Sequence, residues 1–288
     1  MLERGIMEMR KLGEGQESVV YAVGDDRVAK LFKGPRGEAM AAREMARLAS
    51  ARASGAETPE PFGAIEHEGR HGYVMGRVEG PSLLAMVEEN PLRAPRLARF
   101  FGSCHAALLG HKACADLPSL KDGLRKDIEG LRGDSLDEDR KAFLLGLLEG
   151  LPDGDALLHG DFNPSNLILT ERGPIAIDWS GAARGDPMAD LAHTLLILEN
   201  GQLPPGTSAL MRPVLRFGGH AFARGYLGAY RKARPIDSAD RVALAAWKAV
   251  RAGGRLSYGG ACERPVLLRI IDRAYTTARH VTPPCGSA

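Results

Sequence analysis

Residues 157–192 read LLHGDFNPSNLILTERGPIAIDWSGAARGDPMADLA, and the interpretation of the whole chain turns on this stretch. Pro164 and the polar residues around it keep 159–166 out of a helix, which places Asp161 and Asn166 in a loop. LILT, the turn Glu171-Arg172-Gly173-Pro174 and IAID then read as a β-hairpin, and Asp178 follows its second apolar strand. With the turn at 171–174, antiparallel pairing sets Leu167 opposite Asp178. Asn166 and Asp178 then reach the same end of the hairpin, facing Cα atoms lying about 4.5–5.5 Å apart. An amide oxygen and a carboxylate at that place suit a hard, oxygen-preferring cation such as Mg²⁺. Asp161, five residues before Asn166, falls beside such a cation without needing to bind it, where it can accept a hydroxyl proton. The bland alternatives are an Asp that forms a turn and an Asn that caps a strand. Three polar groups converging on one hairpin end favour the catalytic reading, because this is the division of labour that phosphoryl transfer requires.

The N-terminal part supplies a matching half. MEMRKLG, SVVYAVG and RVAKLFK are short β-branched runs separated by Gly and Asp-Asp turn signals. GEAMAAREMARLAS follows as a helix, with Met40, Glu44, Met45 and Leu48 at helical spacing. PFGAIEHEG and HGYVMGRV form a further strand pair. Gly13 and Gly15, in the segment Gly13-Glu14-Gly15-Gln16-Glu17-Ser18, open a hairpin whose backbone N–H groups can approach phosphates. Strand alternation puts Lys30 on the face of Val28 and Phe32, an uncomfortable place for a solvated lysine. A strand Lys paired with a helix Glu is the kinase device for holding phosphates. Glu44 is the expected partner, with Glu38 read as a helix N-terminal charge. A snorkelling lysine and a solvated Glu44 are the competing readings.

After the Gly80-Pro81 break the chain turns mainly helical. Leu97, Phe101, Cys104, Leu108 and His111 recur at three- or four-residue steps, and a second helix covers roughly 136–149. From Asp186 onward helices resume, with breaks expected at Pro204-Pro205, Pro235 and Gly253-Gly254. His105 and His111 on an apolar stripe read as core histidines rather than ligands, as do His193 and His220. Trp179 reads as packing under the loop.

HGDFNPSN and AIDW, followed by GDPMADLA, resemble the conserved blocks of the aminoglycoside phosphotransferase and choline kinase group, a branch of the protein kinase-like fold. The resemblance runs from about Lys11 to near Arg231. It implies an α+β, bilobal architecture: a small antiparallel β-sheet lobe with one helix over residues 1–78, a hinge near 75–80, and a larger, mainly α-helical lobe over 79–288. A catalytic loop at 159–166, a metal-binding segment at 175–190 and acceptor-binding helices within 201–288 are expected. It further implies ATP, with GTP as the alternative donor, and Mg²⁺. Asp161 would be the base, Asn166 and Asp178 the Mg²⁺ ligands, Lys30 the phosphate anchor with Glu44 as partner, and Gly13, Gly15 and Ser18 the phosphate loop. Met75, Gly76 and Val78, with Arg77 between them, would meet the adenine edge, while His159 and Asp190 brace the catalytic loop.

The chain departs from protein kinases in informative ways. Ser18 stands where a third glycine is usual, His159-Gly160-Asp161 lacks an Arg, and Asp178-Trp179-Ser180 replaces the DFG motif. Eleven residues between Asp178 and Asp190 leave no room for a long activation loop, which argues against a protein-substrate kinase. A nucleotide-binding module without turnover is a second reading, opposed by the presence of Lys30, Asp161, Asn166 and Asp178 together.

Composition frames these expectations. The chain has 288 residues, 44% of them hydrophobic and 26% charged, proportions that exclude disorder or coiled coil as a global description. No apolar run approaches the roughly 18 residues of a membrane span. The opening MLERGIMEMRKLGEG lacks a secretory pattern, and Cys104, Cys114, Cys262 and Cys285 show no CxxC spacing. Reduced thiols in the cytoplasm are therefore expected. Residues 1–200 carry 24 Lys+Arg against 32 Asp+Glu, whereas 201–288 carry 14 against 4, the acids being Asp237, Asp240, Glu263 and Asp272. Polycationic aminoglycosides suit acid-lined pockets, so the expected acceptor is a small neutral or anionic hydroxyl compound. Arg212, Arg216, Arg224, Arg231, Lys232, Arg234, Arg251 and Arg255 form either part of that pocket or a solvated face. Aromatics are not interleaved with them as nucleic-acid stacking surfaces need.

Overall fold

The computed structural model describes residues 9–15, 17–200, 211–260 and 262–281. Cys285 and the break expected at Pro204-Pro205 lie outside them, as do the side chains of Arg212 and Arg216. Five β-branched runs form one antiparallel sheet: β1 (Met9–Glu14), β2 (Ser18–Val23), β3 (Arg27–Phe32), β4 (Pro61–His67) and β5 (Arg70–Gly76), in the order β1-β2-β3-β5-β4. Strand β3 is central, with Lys30 opposite Val20 on one side and Tyr73 on the other. A central strand is sheltered on both edges, which is why Lys30 is only 8% exposed.

Helix α1 (Gly37–Ala53) buries Gly37, Ala41, Glu44, Leu48 and Ala51, one every three or four residues. This stripe packs against Phe32 and Tyr73 of the sheet. Glu44 thus sits mid-stripe between Ala41 and Leu48, where a charge needs a partner. Glu38, in the first turn, is exposed.

The remainder is mostly helical: α2 (Leu83–Glu89), α3 (Ala94–Leu108), α4 (Leu120–Glu129), α5 (Glu138–Gly150), α6 (Pro187–Asn200), α7 (Met211–Ala233), α8 (Ser238–Arg255) and α9 (Arg264–Val281). The fold is bilobal α+β. Backbones of α3 and α7 approach closely because Gly102 has no side chain; a Cβ there would meet Tyr226 O at 2.2 Å. Helix α8 ends at Arg255, one residue past Gly254, so the break expected at Gly253-Gly254 falls at the pair; in that last turn the missing side chains also make room for Leu144 and Leu124. Asp237 starts α8 with a capping box closed by Asp240.

Between the helices lie four short strands, β6 (Ala156–Leu158), β7 (Leu167–Thr170), β8 (Gly173–Ala176) and β9 (Ala183–Gly185). The β7/β8 register differs from the one expected. Its turn is the two residues Glu171-Arg172, so Leu167 faces Ala176 rather than Asp178. The offset is an even number of residues, which leaves every side chain on its expected face. Ile177 N donates to Asn166 O at 2.9 Å, so Asn166 and Asp178 still meet at one end of the hairpin.

Candidate active site

Two strand pairings bring the polar residues together. Pairing of β6 with β9 sets Leu158 opposite Ala183, which places the start of the 159–166 loop beside the segment following Asp178. Here Gly160 adopts φ 80°, and a Cβ would strike Gly181 O at 2.1 Å. Only glycine allows these two chain segments to touch. The loop closes with a single 3-10 turn at Pro164–Asn166, capped by the Asn163 side chain.

Asp190, at the first turn of α6, organises the loop. Its carboxylate accepts from His159 N at 2.8 Å, from Gly160 N at 3.0 Å and from His105 Nε2 at 3.3 Å. Burial by itself would raise this carboxyl; the hydrogen bond and charge of His105 prevail and hold it well below the usual carboxylate range. His105 also meets Tyr226 OH at 2.5 Å through Nδ1. The histidine expected to be an ordinary core residue is therefore buried, as expected, and is also the contact between α3, α7 and the loop. Its signal in the sequence was a polar side chain on an otherwise apolar stripe.

His159 is fully enclosed and packs at a tilt against Trp179, ring centroids 4.6 Å apart, the indole itself pinned by Nε1 to Ala176 O at 2.9 Å. Trp179 packs under the loop. Asp161 N donates to His159 Nδ1 at 3.3 Å, which leaves Nε2 to carry the proton donated to Ile177 O at 3.1 Å. Burial pushes this imidazole below the ordinary histidine value, so it bridges loop and hairpin as the neutral tautomer. His193 is buried too, with Nδ1 unpartnered among the described residues. His220 is exposed and not a core residue; among the described side chains of α7 the first buried one is Ala223.

Asp161 receives Asn166 Nδ2 at 3.1 Å on Oδ2 and at 3.0 Å on its carbonyl. The amide oxygen of Asn166 is thereby turned away from Asp161 and has no hydrogen-bond partner among the described residues, so it can serve as a metal ligand. Burial raises the Asp161 carboxyl above its ordinary value, only partly offset by the nearby His159. Asp178 takes up the left-handed backbone conformation, φ 61° and ψ 71°, a strained choice for a non-glycine residue and one concentrated at functional sites. It presents Oδ1 to Lys30 Nζ at 3.2 Å. Burial works against its ionised form, but Lys30 prevails and lowers its pKa.

Lys30 Nζ also bonds Glu44 Oε2 at 2.7 Å, so one ammonium is shared by carboxylates from α1 and from the hairpin. Its own pKa is raised, the two carboxylates overcoming burial. A further tie between the sheet and the helical part is Arg47 of α1, whose guanidinium donates to Ser180 O. The tip of the β1/β2 hairpin, with Gly13 and Gly15, lies at the exposed end of the sheet. Gly15 N donates to Ser18 O at 2.9 Å. A Cβ added at Gly13 would meet nothing within 4 Å, so the chain's own packing does not demand glycine there. After β5, Gly76 N bonds Glu60 O and Arg77 N bonds Asp26 O, each at 2.8 Å, whereas Val78 N has no backbone partner among the described residues. Met75 packs against the main core.

Arg251 of α8 is a member of the site that the sequence analysis left among the basic residues of unassigned face. It is 5% exposed and donates from Nη2 to Gly160 O at 3.0 Å. One turn on, Arg255 is clamped by Glu263 through Nε at 2.6 Å and Nη2 at 2.9 Å. Arg224, Arg231 and Lys232 lie on the exposed side of α7. Among the described residues no group of three or more His, Cys, Asp or Glu side chains has metal-holding geometry, and no helix is long and apolar enough to cross a membrane. Cys104, Cys114 and Cys262 are free thiols, and burial pushes Cys104 up to about 11.

No curated protein is significantly similar to the chain in sequence. Solved structures share its fold. Amicoumacin kinase hAmiN, in complex with AMP-PNP, Ca²⁺ and Ami, aligns with TM-score 0.61 at 17% identity, over 93% of this chain and 88% of that one. A thermostable mutant of aminoglycoside phosphotransferase APH(4)-Ia, in ternary complex with ADP and hygromycin B, aligns with TM-score 0.61 at 16% identity, over 97% and 95%. The GDP complex of aminoglycoside 2'-phosphotransferase-IIIa aligns with TM-score 0.55 at 16% identity, over 96% and 95%. These likenesses establish the protein kinase-like architecture. The sequence itself matches the APH phosphotransferase enzyme family over residues 8–236, most of the chain, and the protein belongs to that family.

Proposed function

We propose that this protein transfers the γ-phosphoryl group of ATP to a hydroxyl of a small molecule that is neutral or anionic. The observation that carries the reading is the meeting of Lys30, Glu44 and Asp178 from distant parts of the chain, with Asp161 and Asn166 on the adjoining loop. Lys30, oriented by Glu44, is placed to neutralise the α and β phosphates. Gly13, Gly15 and Ser18 form the loop over the phosphates, and the segment from Met75 through Gly76 to Val78 offers its free N–H to the adenine edge.

The donor set fits Mg²⁺, which keeps several waters and takes only one or two protein carboxylates together with substrate phosphates. Asn166 contributes an amide oxygen free of competing bonds among the described residues, and Asp178 a carboxylate that Lys30 keeps ionised. Bound there, the ion would neutralise charge building up on the β and γ phosphates. Asp161 accepts the proton of the attacking hydroxyl as its oxygen bonds to the γ phosphorus, and the bond to the bridging oxygen breaks with its electron pair leaving on ADP. A raised Asp161 pKa makes it a stronger base than an exposed aspartate. His159, Asp190 and His105 hold the loop that carries it.

The pairing of the four acids of residues 201–288 supports this reading of the acceptor's charge. Asp237 and Asp240 are occupied by the α8 capping box, Glu263 by Arg255, and Asp272 by Arg140. Each already has a partner, which disfavours a cluster of free acids for the ammonium groups of a polycation.

The test is Mg-ATP-dependent ADP release with small hydroxyl compounds pooled by charge, Asp161→Asn serving as the blank and GTP replacing ATP in a parallel series. Stimulation by the neutral or anionic pool is expected, with turnover of Asp161→Asn lower by about 10²–10⁴-fold. Strong, saturable phosphorylation of an aminoglycoside would overturn the acceptor assignment. A Mg-ATP-induced rise in melting temperature without turnover in any pool would favour a binding module.

A further inference from the structure

Each peptide group from His159 N to Phe162 O has a hydrogen-bond partner. Asp190 receives His159 N and Gly160 N, His159 Nδ1 receives Asp161 N, and Thr194 of α6 donates to Phe162 O at 2.8 Å. The Asp161 carbonyl receives Asn163 Nδ2 at 3.2 Å and Asn166 Nδ2 at 3.0 Å. Among the described residues the Gly160 carbonyl is reached only from α8, by Arg251 Nη2 at 3.0 Å.

Gly160 is the weak point of this series of contacts. At φ 80° it has little conformational preference of its own, and a Cβ that would restrict it would strike Gly181 O at 2.1 Å. Its torsions are therefore set by whatever holds the two flanking peptide planes. Asp190 Oδ1 holds the plane before it at 3.0 Å, and Arg251 holds the plane after it. A carboxylate on the N–H and a guanidinium on the C=O make both bonds charge-assisted, stronger than neutral ones. The second plane leads directly into Asp161. Its oxygen end takes Arg251 and its N–H end takes His159 Nδ1 at 3.3 Å, so a turn of that plane would swing the Asp161 carboxylate.

Arg251 is 5% exposed, its Nε is unpartnered, and the bond to Gly160 O is its one hydrogen bond among the described residues. Burying a guanidinium on a single bond is costly, and an apolar side chain would fill the same space with less desolvation. Packing therefore does not account for an arginine at this place, whereas the contact with the loop does. We infer that Arg251 is a positioning residue of the transfer reaction: from α8 it fixes the Gly160–Asp161 peptide plane and so aims the Asp161 carboxylate at the attacking hydroxyl. This inference rests on the phosphotransferase reading above.

The experiment uses the full chain. Arg251→Met removes donor and charge, and Arg251→Lys keeps the charge on a shorter stem. Leu144 of α5 is buried against Gly253 of α8, so Leu144→Ala destabilises the same region without touching the loop. Asp161 N–H belongs to the plane that Arg251 holds. Its amide exchange, taken relative to that of Leu195 in the core of α6, should quicken by at least about tenfold in Arg251→Met and by less in Arg251→Lys. The ratio should keep its wild-type value in Leu144→Ala. ADP release from Mg-ATP is followed with water alone and with glycerol, glycerate and kanamycin, and the fastest acceptor serves for the variants. Arg251→Met should lower kcat by about tenfold or more with KM for ATP unchanged. Arg251→Lys should fall between it and the wild type, and Leu144→Ala should lower the melting temperature alone. If Arg251→Met does not fold, Arg251→Lys decides by the same two readings. An unchanged exchange ratio, a wild-type kcat, or an equal loss of kcat in Leu144→Ala overturns the assignment of Arg251 and leaves the phosphotransferase reading standing. A wild type that releases no more ADP than Asp161→Asn with any acceptor overturns that reading, and the assignment falls with it.

Discussion

Lys30 Nζ lies 3.2 Å from Asp178 Oδ1, although 148 residues separate them in sequence. The contact joins the central strand of the sheet to the hairpin of the helical part. Glu44 holds the same ammonium from the other side. Two carboxylates are therefore held close together by one cation, which keeps Asp178 ionised while burial still raises the Glu44 carboxyl above its ordinary value, and removing that cation has consequences for both folding and binding.

Lys30→Met would leave Glu44 buried without a counter-charge. Breaking a buried ion pair costs about 3–5 kcal/mol. The Asp178 side chain is 39% exposed, so solvent screens its share. A loss near 3 kcal/mol is expected, read as a lower melting temperature, together with loss of the Mg-ATP-induced rise. A variant with wild-type melting temperature and nucleotide response would remove Lys30 from its place in the site.

Turnover should fall on the acid side above the ordinary aspartate value of about 3.9. Only ionised Asp161 can take a proton, and burial raises its pKa, whereas Lys30 moves Asp178 the other way. The profile of kcat against pH checks this. An acid limb at or below the ordinary value would contradict the assignment of Asp161 as base.

His105→Leu should act on catalysis through position. It removes one donor from Asp190 and one partner from Tyr226. A stability loss of about 1–3 kcal/mol is expected from the groups left unsatisfied. A purely structural defect would stop there. Displacement of the catalytic loop should also lower kcat by about tenfold or more while leaving KM for ATP near wild type, and steady-state kinetics would show an unchanged kcat if His105 only fills the core.

Two glycines give opposite outcomes on substitution by alanine. At Gly160 the left-handed backbone and the approach of Gly181 O should cost at least about 2 kcal/mol. At Gly123, exposed in α4 with nothing within 4 Å of an added Cβ, alanine should stabilise by about 0.5–1 kcal/mol. Denaturant titration of both variants compares them directly. Equal effects would mean that the loop is not held by that contact.

Stability should decline as pH falls through about 6.5. Burial lowers the folded-state pKa of His159 and His193. Below the ordinary histidine value the unfolded chain binds protons that the folded chain does not. Each histidine contributes up to about 1.36 kcal/mol per pH unit of slope. Asp161, raised by burial, offsets part of this as it takes up its own proton at lower pH. His193→Gln should therefore show a shallower decline between pH 7.5 and 5.5 than the wild type. An identical slope would show that His193 does not titrate differently on folding.

Local chemistry made much of the architecture legible in the sequence. The five strands, α1 and the β7/β8 hairpin are written in short-range alternation, helical spacing and turn residues, which depend on neighbours only a few positions away. The end of α8 was legible for the same reason, one residue beyond the Gly253-Gly254 pair. The two-residue turn at Glu171-Arg172 was missed because either turn length satisfies the local pattern, and the even offset between them hides the error from any face-based argument.

By itself, then, the sequence determined the elements, the family-like blocks and the residue types able to do phosphoryl-transfer chemistry, since these are properties of spacing along the chain. Tertiary structure alone decided which of them meet. His105 became a partner of Asp190, Arg251 a donor to Gly160, and the four acidic residues of 201–288 each met a cap or an arginine. Such pairings depend on distances between elements dozens of residues apart, set by how glycine-lined helices pack rather than by any local preference of the chain.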